Sequence, residues 1–505
     1  MKTAPVDKVI NMINIIWGCF GRPIYIYAFI GMYGVIAIIC VTRYNDWGGD
    51  YSLYLSQARA IVQGDIKEFR DEVEFRVEKG AYEGPPYAPW GFPLFVSPAY
   101  ALSDGNHEFI KYYLIICLMI SASVLYAVMT IYGGRVHAGV AIVLFLSSGY
   151  IFGLTNLILS DFVGLLFASI VLILFLKCIN TSHRTNETIY ALMLGVVATF
   201  SVIIRPQNYV LIVAIVLWMV IRSVRCDVNR RRYARITLVS SVVFICSLWT
   251  YDQLDPMKIN ASYMTYFSFG DFIENAIRNV PLYIKGYRVY FTADDWSVWR
   301  KVIAVPMTFA MIVGMIAGIK RYLLLALYIV LLYAVLFVYP YYQHLRLVLP
   351  VLPFMSLFTV LGARRLGDYI NCHSKRANDY HWIHRSVIML AITLMLAGNA
   401  LSALDREEVS KSYGPYSASS QEVFDIIRRV VPGDDAVSFF KPRILTYETK
   451  RKSVFIAKVS KAIEAGVRWG LFYQGQLKYN VPMFHEVNKG NEVFRNDKYV
   501  LYKFY

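Results

Sequence analysis

The sequence predicts an α-helical polytopic membrane protein with about eleven transmembrane helices and a small C-terminal exported α/β domain. Three observations predict it. The 505 residues are 57% hydrophobic and only 17% charged, against about 25% charged in an average soluble protein. Apolar runs recur at the roughly 20-residue length that crosses a bilayer as a helix. The last hundred residues then change character, with turn signals and shorter periodic segments. This composition excludes a disordered chain and speaks against an ordinary soluble enzyme.

The candidate spans are 23–42, 109–131, 138–154, 160–176, 188–204, 207–221, 236–251, 302–319, 322–339, 347–362 and 386–402. No small-residue cleavage site follows the first, so it reads as an uncleaved anchor. Arginine and lysine in short loops set orientation. One loop holds Arg222, Arg225, Arg230, Arg231, Arg232 and Arg235, another Arg364, Arg365, Lys375, Arg376 and Arg385, and a third Lys320 and Arg321. If these are cytoplasmic, an odd number of spans puts the N-terminus inside and the C-terminus outside. The formal charge of +16 is then mainly an orientation signal and not a nucleic-acid footprint. The division is a transmembrane catalytic part, 1–402, with outer loops 43–108 and 252–301, and an exported α/β domain, 403–505.

In the C-terminal part, Val423, Ile426, Ile427 and Val430 share a helical face, Pro432-Gly433-Asp434-Asp435 is a turn, and 436–440 and 499–505 read as strands. The stretch Asp71–Lys79 alternates charged residues with Val73, Phe75 and Val77, a half-exposed strand pattern. The seven cysteines show no CxxC spacing and none falls in the outer pieces, so neither a metal motif nor a disulfide framework is expected.

Spans two to eleven carry almost no charge near their centres. Ion-coupled transporters place ionisable groups there, so chemistry at one membrane face is expected instead. In the first outer loop, Asp46 and Asp50 flank Trp47-Gly48-Gly49, and a helical pattern carrying Tyr54 follows. Asp50 at a helix start is also a favoured cap. Asp161 begins span four, where a carboxylate suits the helix dipole, yet is costly at the edge of hydrocarbon. Tyr87 and Trp90 precede span two and suit either an interfacial belt or a sugar face. Arg205-Pro206 and the run ending His344-Leu345-Arg346 lie at outer helix ends. There a guanidinium holds a phosphate by paired hydrogen bonds, or snorkels to headgroups.

With these motifs in this order, the chain resembles the integral-membrane glycosyltransferases of the GT-C fold, including the lipid A aminoarabinose transferase and protein O-mannosyltransferase superfamily. The matching pieces are Asp50-Tyr51-x-x-Tyr54-x-x-x-Ala58, the Pro- and Gly-rich segment 87–98, Ser160-Asp161, Gly195 to Arg205-Pro206, Arg346-x-x-x-Pro350-x-x-Pro353, and the stretch through Lys441-Pro442-Arg443. Each is weak alone; together they cover most of the chain. The resemblance implies a polyprenyl-phosphate-sugar donor and an envelope glycan, lipid or protein acceptor, with membrane lipids around it and no nucleic acid. It assigns Asp50 as general base, with Asp46 and Asp161 positioning the acceptor or holding a divalent metal cation. Arg346, Arg205 and His344 are assigned to the donor phosphate, and Tyr87, Trp90 and Tyr54 to the sugar. Alternatives are an O-antigen polymerase or ligase of related fold, and a lipid-linked-sugar flippase or transporter.

Overall fold

The structure is a computed structural model. It describes residues 4–43, 45, 47–79, 86–225, 230–257, 269–291, 297–340, 342–373, 381–412, 414–474 and 490–504. Asp46 therefore lies outside the described residues, as does the side chain of His344.

The chain opens with α1 (Ala4–Cys19) and α2 (Pro23–Ile39), bent by 80° at the break between them. Then come α3 (Asp50–Gln63), α4 (Ile66–Glu78) and α5 (Gly91–Ser103). The apolar bundle continues through α6 (His107–Gly133), α7 (Arg135–Leu146), α8 (Gly149–Leu154), α9 (Asp161–Asn180), α10 (Arg184–Ile204), α11 (Tyr209–Arg225) and α12 (Arg230–Leu254). It resumes with α13 (Phe269–Tyr290), α14 (Ser297–Gly318), α15 (Leu323–Val338), α16 (Leu352–His373) and α17 (His381–Ser412). Among the described residues, seven helices are long and apolar enough to cross a membrane, or eight if the bent α1–α2 pair is one span. Each of the eleven expected segments overlaps an apolar helix, but length and composition do not establish eleven crossings. The expected span 138–154 is divided into α7 and α8 at Ser147-Ser148. There Asn399 Nδ2 donates to the Ser147 carbonyl at 3.0 Å and Ser148 Oγ to that of Tyr290 at 2.6 Å.

The expected strand at 71–79 is instead the second half of α4. Phe69, Val73 and Arg76 are its buried positions, an i, i+4, i+7 stripe. Charges pair along the helix, Arg76 with Glu72 at 2.6 Å and Arg70 with Glu74 at 3.6 Å. A two-residue alternation over a short window had concealed a helical period.

The C-terminal region holds α18 (Ala418–Val430), β1 (Ala436–Ser438), α19 (Pro442–Thr449), β2 (Lys452–Val454), α20 (Val459–Glu464), β3 (Trp469–Tyr473), β4 (Gly490–Arg495) and β5 (Tyr499–Phe504). The sheet order is β2-β1-β3-β5-β4, with β1 parallel to β2 and β3, and β5 antiparallel to β3 and β4. The helix and two strands expected here are α18, β1 and β5, within two residues at each end. One apolar core runs unbroken from the bundle into Val423, Phe424, Val437, Phe439 and Leu445.

Within the expected loop 252–301, α13 has Asn275, Asn279, Tyr283 and Tyr287 buried and Ile273, Ile277 and Ile284 exposed. Its polar side faces protein: Asn279 Nδ2 donates to the carbonyls of Phe337 at 3.1 Å and Tyr339 at 2.6 Å, closing the end of α15. An outward apolar face of this kind suits lipid.

Helices α14 and α16 pack backbone to backbone. A Cβ on Gly362 would lie 1.7 Å from the Ala310 carbonyl oxygen, so no side chain fits. Gly362→Val is expected to cost about 3 kcal/mol, the upper end for overpacking. Gly433→Ala, where a Cβ meets nothing within 4 Å, is the neutral control. Thermal unfolding in detergent reads both.

Candidate active site

Four charged side chains from four separate segments meet at one end of the bundle. Asp50 opens α3 behind Gly49, whose φ of +77° sets the helix start. Asp161 opens α9. Arg205 ends α10 with extended backbone, the conformation favoured before a proline such as Pro206. Arg346 sits in a 3-10 stretch, His344–Val351, that leads into α16.

They form an alternating chain. Arg346 Nη1 donates to Asp50 Oδ2, and Arg346 Nε to Asp161 Oδ2 at 2.9 Å. Arg205 Nη1 donates to the same Asp161 Oδ2 at 2.7 Å and to Ser160 Oγ at 3.0 Å. Arg205 Nη2 reaches the Arg346 carbonyl at 3.4 Å. The N-cap positions are held by Gly49 and Ser160; the aspartates one residue further on pair with arginine. Exposure falls along the chain, from 35% for the Asp50 side chain and 17% for Arg346 to 1% for Asp161 and 5% for Arg205. Gly164 makes the deep end possible, since a Cβ there would lie 2.8 Å from Arg205 Cδ.

A cavity of about 610 Å³ opens beside Asp50 and Arg346. Leu154, Leu157, Ile158 and Leu159 line one wall, and Leu282, Lys285, Gly286 and Val289 of α13 another. Burial alone would raise the Asp50 carboxyl. The Arg346 charge and hydrogen bond, with the charges of Arg443 and Arg205, outweigh it and hold the group below its ordinary value.

The other expected residues lie around this chain at different depths. Tyr54 stands behind it, its hydroxyl 3.4 Å from Ser160 Oγ and its ring 4.7 Å from that of Phe92. Tyr87 and Trp90 lie outside the cavity lining. Both donate to Asp255, Tyr87 Oη to Oδ2 at 3.0 Å and Trp90 Nε1 to Oδ1 at 3.2 Å. Gln57 on α3 fixes the same segment by a two-way amide pair with Ala88, at 2.9 and 3.0 Å. Arg205 is not a cavity residue either.

Sequence reasoning missed Lys285, which carries a second cation to the cavity wall from a stretch without a motif. It also missed Lys111, in α6. Lys111 is fully buried, and its Nζ donates to the Thr42 carbonyl at 2.8 Å. Asn156 meets Thr42 as well, at 2.9 and 2.8 Å, so these two residues anchor the start of the first loop.

The pairing sets the response to charge removal. Asp161→Asn leaves two guanidiniums sharing one carboxylate and is expected to cost about 3–5 kcal/mol. The double change Asp161→Leu with Arg205→Met should cost less than that single change in thermal unfolding. Because the Asp50 carboxyl is depressed, its pair stabilises the fold above the ordinary aspartate value of about 3.9 and loses that contribution as pH falls further. Asp50→Asn should remove this part of the acid sensitivity below about pH 4.

No family model matches the sequence, and no curated protein matches it. Solved structures do match. ArnT from Cupriavidus metallidurans, bound to undecaprenyl phosphate, aligns with TM-score 0.55 and 11% identity over 95% of this chain and 97% of that one. The Archaeoglobus fulgidus oligosaccharyltransferase tethered with an acceptor peptide aligns with TM-score 0.54 and 10% identity, over 89% of this chain and 69% of that one. The same enzyme in complex with Zn and sulfate gives TM-score 0.56 and 10% identity, over 88% and 67%. The chain has the GT-C fold of these membrane glycosyltransferases.

Proposed function

We propose that the protein is a membrane glycosyltransferase that moves a sugar from a polyprenyl-phosphate donor to a glycan, lipid or protein acceptor. The observation that carries this reading is the Asp50–Arg346 pair at a cavity with one apolar wall and a second cation, Lys285. An apolar wall beside two cations suits a lipid phosphate. The undecaprenyl phosphate bound by ArnT and the acceptor peptide tethered to the oligosaccharyltransferase support the same substrate classes.

In the proposed step an acceptor oxygen attacks the anomeric carbon and the bond from that carbon to the phosphate oxygen breaks. The electron pair stays on the leaving phosphate, and the acceptor proton passes to Asp50. Arg346 and Lys285 stabilise the charge gathering on the phosphate. A carboxylate tied to Arg346 is a weak base. A donor phosphate competes for that guanidinium, so donor binding frees Asp50 and raises its basicity. Arg205 keeps Asp161 charged, and Asp161 keeps Arg346 in place.

Of the two expected metal ligands, Asp46 lies outside the described residues, and Asp161 Oδ2 accepts two guanidinium N–H groups. Asp50 Oδ2 accepts a guanidinium N–H as well, so a metal would meet only the Oδ1 atoms of Asp50 and Asp161 unless it displaced Arg346. Among the described residues no three His, Cys, Asp or Glu side chains converge as a metal group.

We also propose that the site end faces away from the cytoplasm. At the opposite end of the α9–α10 hairpin, Arg232 and Arg235 of the basic loop pair with Glu187, where the positive-inside rule places them. The cytoplasmic membrane, with 403–505 exported, follows from that reading.

Asp50→Asn should lower the rate of sugar transfer by roughly 10²- to 10⁴-fold with donor binding retained. Arg346→Ala should weaken donor binding. Purified protein with a polyprenyl-phosphate monosaccharide panel and mass spectrometry of products tests both. Near wild-type turnover in Asp50→Asn removes the base assignment, and absence of any glycoside product removes the transferase reading.

A further inference from the structure

Asn45 lies five residues before Asp50, is 1% exposed and lines the same cavity. Its Nδ2 is 2.9 Å from His107 Nδ1. With the amide nitrogen as donor in this contact, His107 Nδ1 carries the lone pair and the ring proton sits on Nε2. That N–H in turn donates to the Tyr447 hydroxyl at 3.2 Å. Three aromatic rings hold the imidazole: Tyr416, Tyr51 and Tyr447, with centroids at 5.3, 5.7 and 5.9 Å. Tyr416 is itself fixed by donating to Glu448 Oε1 at 2.5 Å. The relay thus runs from the cavity wall, through the first residue of α6, to α19.

With Nδ2 engaged in this way, Asn45 Oδ1 is buried and has no hydrogen-bond partner. A buried carbonyl without a donor is costly, and three hydrogen-bonded and packed residues hold it there. Because Asn45 lines the cavity, what the cavity binds can supply the donor it lacks. An ionised phosphate has only acceptors and a prenyl chain has neither donor nor acceptor, which leaves a hydroxyl or amine.

We propose that Asn45 is a specificity-determining residue, its Oδ1 accepting a hydrogen bond from one hydroxyl or amine of the transferred sugar, with His107 and Tyr447 as positioning residues that fix the amide. The identity of the ligand as a lipid-linked sugar rests on the transferase reading above.

The test uses the full chain in detergent and a panel of polyprenyl-phosphate hexoses, each also prepared with single hydroxyls replaced by hydrogen. Binding is read by thermal stabilisation and turnover by product mass spectrometry. Wild type should lose roughly 10- to 100-fold in affinity for one deoxy donor, the size of one orphaned buried acceptor. Asn45→Ala should bind that donor and its parent equally. His107→Phe should lose most of the discrimination and His107→Gln should recover part of it. Tyr447→Phe removes a single hydroxyl and should blunt the discrimination, which keeps the test open if Asn45→Ala fails to fold. Discrimination unchanged in Asn45→Ala, or absent in wild type, overturns the proposal; discrimination unchanged in both His107→Phe and Tyr447→Phe overturns the relay. If wild type forms no glycoside, the transferase reading fails alone, because binding discriminates without turnover.

Discussion

The two guanidinium bonds to Asp161 Oδ2 are the constraint on which the site end of this molecule depends. A carboxylate 1% exposed is tolerable only with its charge matched. Matching it with Arg205 alone would make a closed pair. Matching it with Arg346 as well passes the requirement along, since Arg346 then needs a second anion, and Asp50 supplies it. The result is a graded line of charge, sealed at Arg205 and open at Asp50. The deep residues keep a fixed geometry, while the outermost carboxylate meets the cavity.

Much of this was legible in the sequence for a simple reason. Asp161, Arg205 and Arg346 are charges next to hydrocarbon, and a charge there stands out against an apolar background. The Arg205-Pro206 break and the start of α3 behind Gly48-Gly49 also announce themselves, because backbone chemistry is local. The mutual pairing of these residues was not legible. A sequence shows which charges lie near a membrane face, and not which of them touch. Tyr87 and Trp90 show the same limit: their aromatic character was plain, but their hydrogen bonds to Asp255 depend on a residue about 165 positions away. Lys285 and Asn45 carried no signal because each is an ordinary polar residue in a loop-like stretch. Only packing brings them to the cavity. In α4 the reading erred on period, since paired charges four apart look like alternation over a short window.

The C-terminal region is joined to the site more closely than a separate exported module would be. Trp47, beside the first-loop glycines, has its ring 5.3 Å from Phe440 and 5.9 Å from Phe439. Lys79 Nζ reaches the Ala465 carbonyl at 2.8 Å. The charge of Arg443, on α19, acts on Asp50. With the apolar core continuous across the junction, the α/β region buttresses the loop that carries Asp50, and the loop has few ways to move independently of it.

The spacing of the charge line along the chain has a consequence for biogenesis. Arg205 follows Asp161 by 44 residues, whereas Arg346 follows Asp50 by 296. At about 5–20 residues per second of synthesis, the deeply buried aspartate waits a few seconds for its first counter-charge. Asp50 waits about 15–60 s. The carboxylate that must enter the low-dielectric interior is therefore made just ahead of its partner. The one left unpaired longest has, at 35% side-chain exposure, the most water around it in the finished fold. The order of the chain is thus compatible with insertion one hairpin at a time, with Arg346 closing the site last.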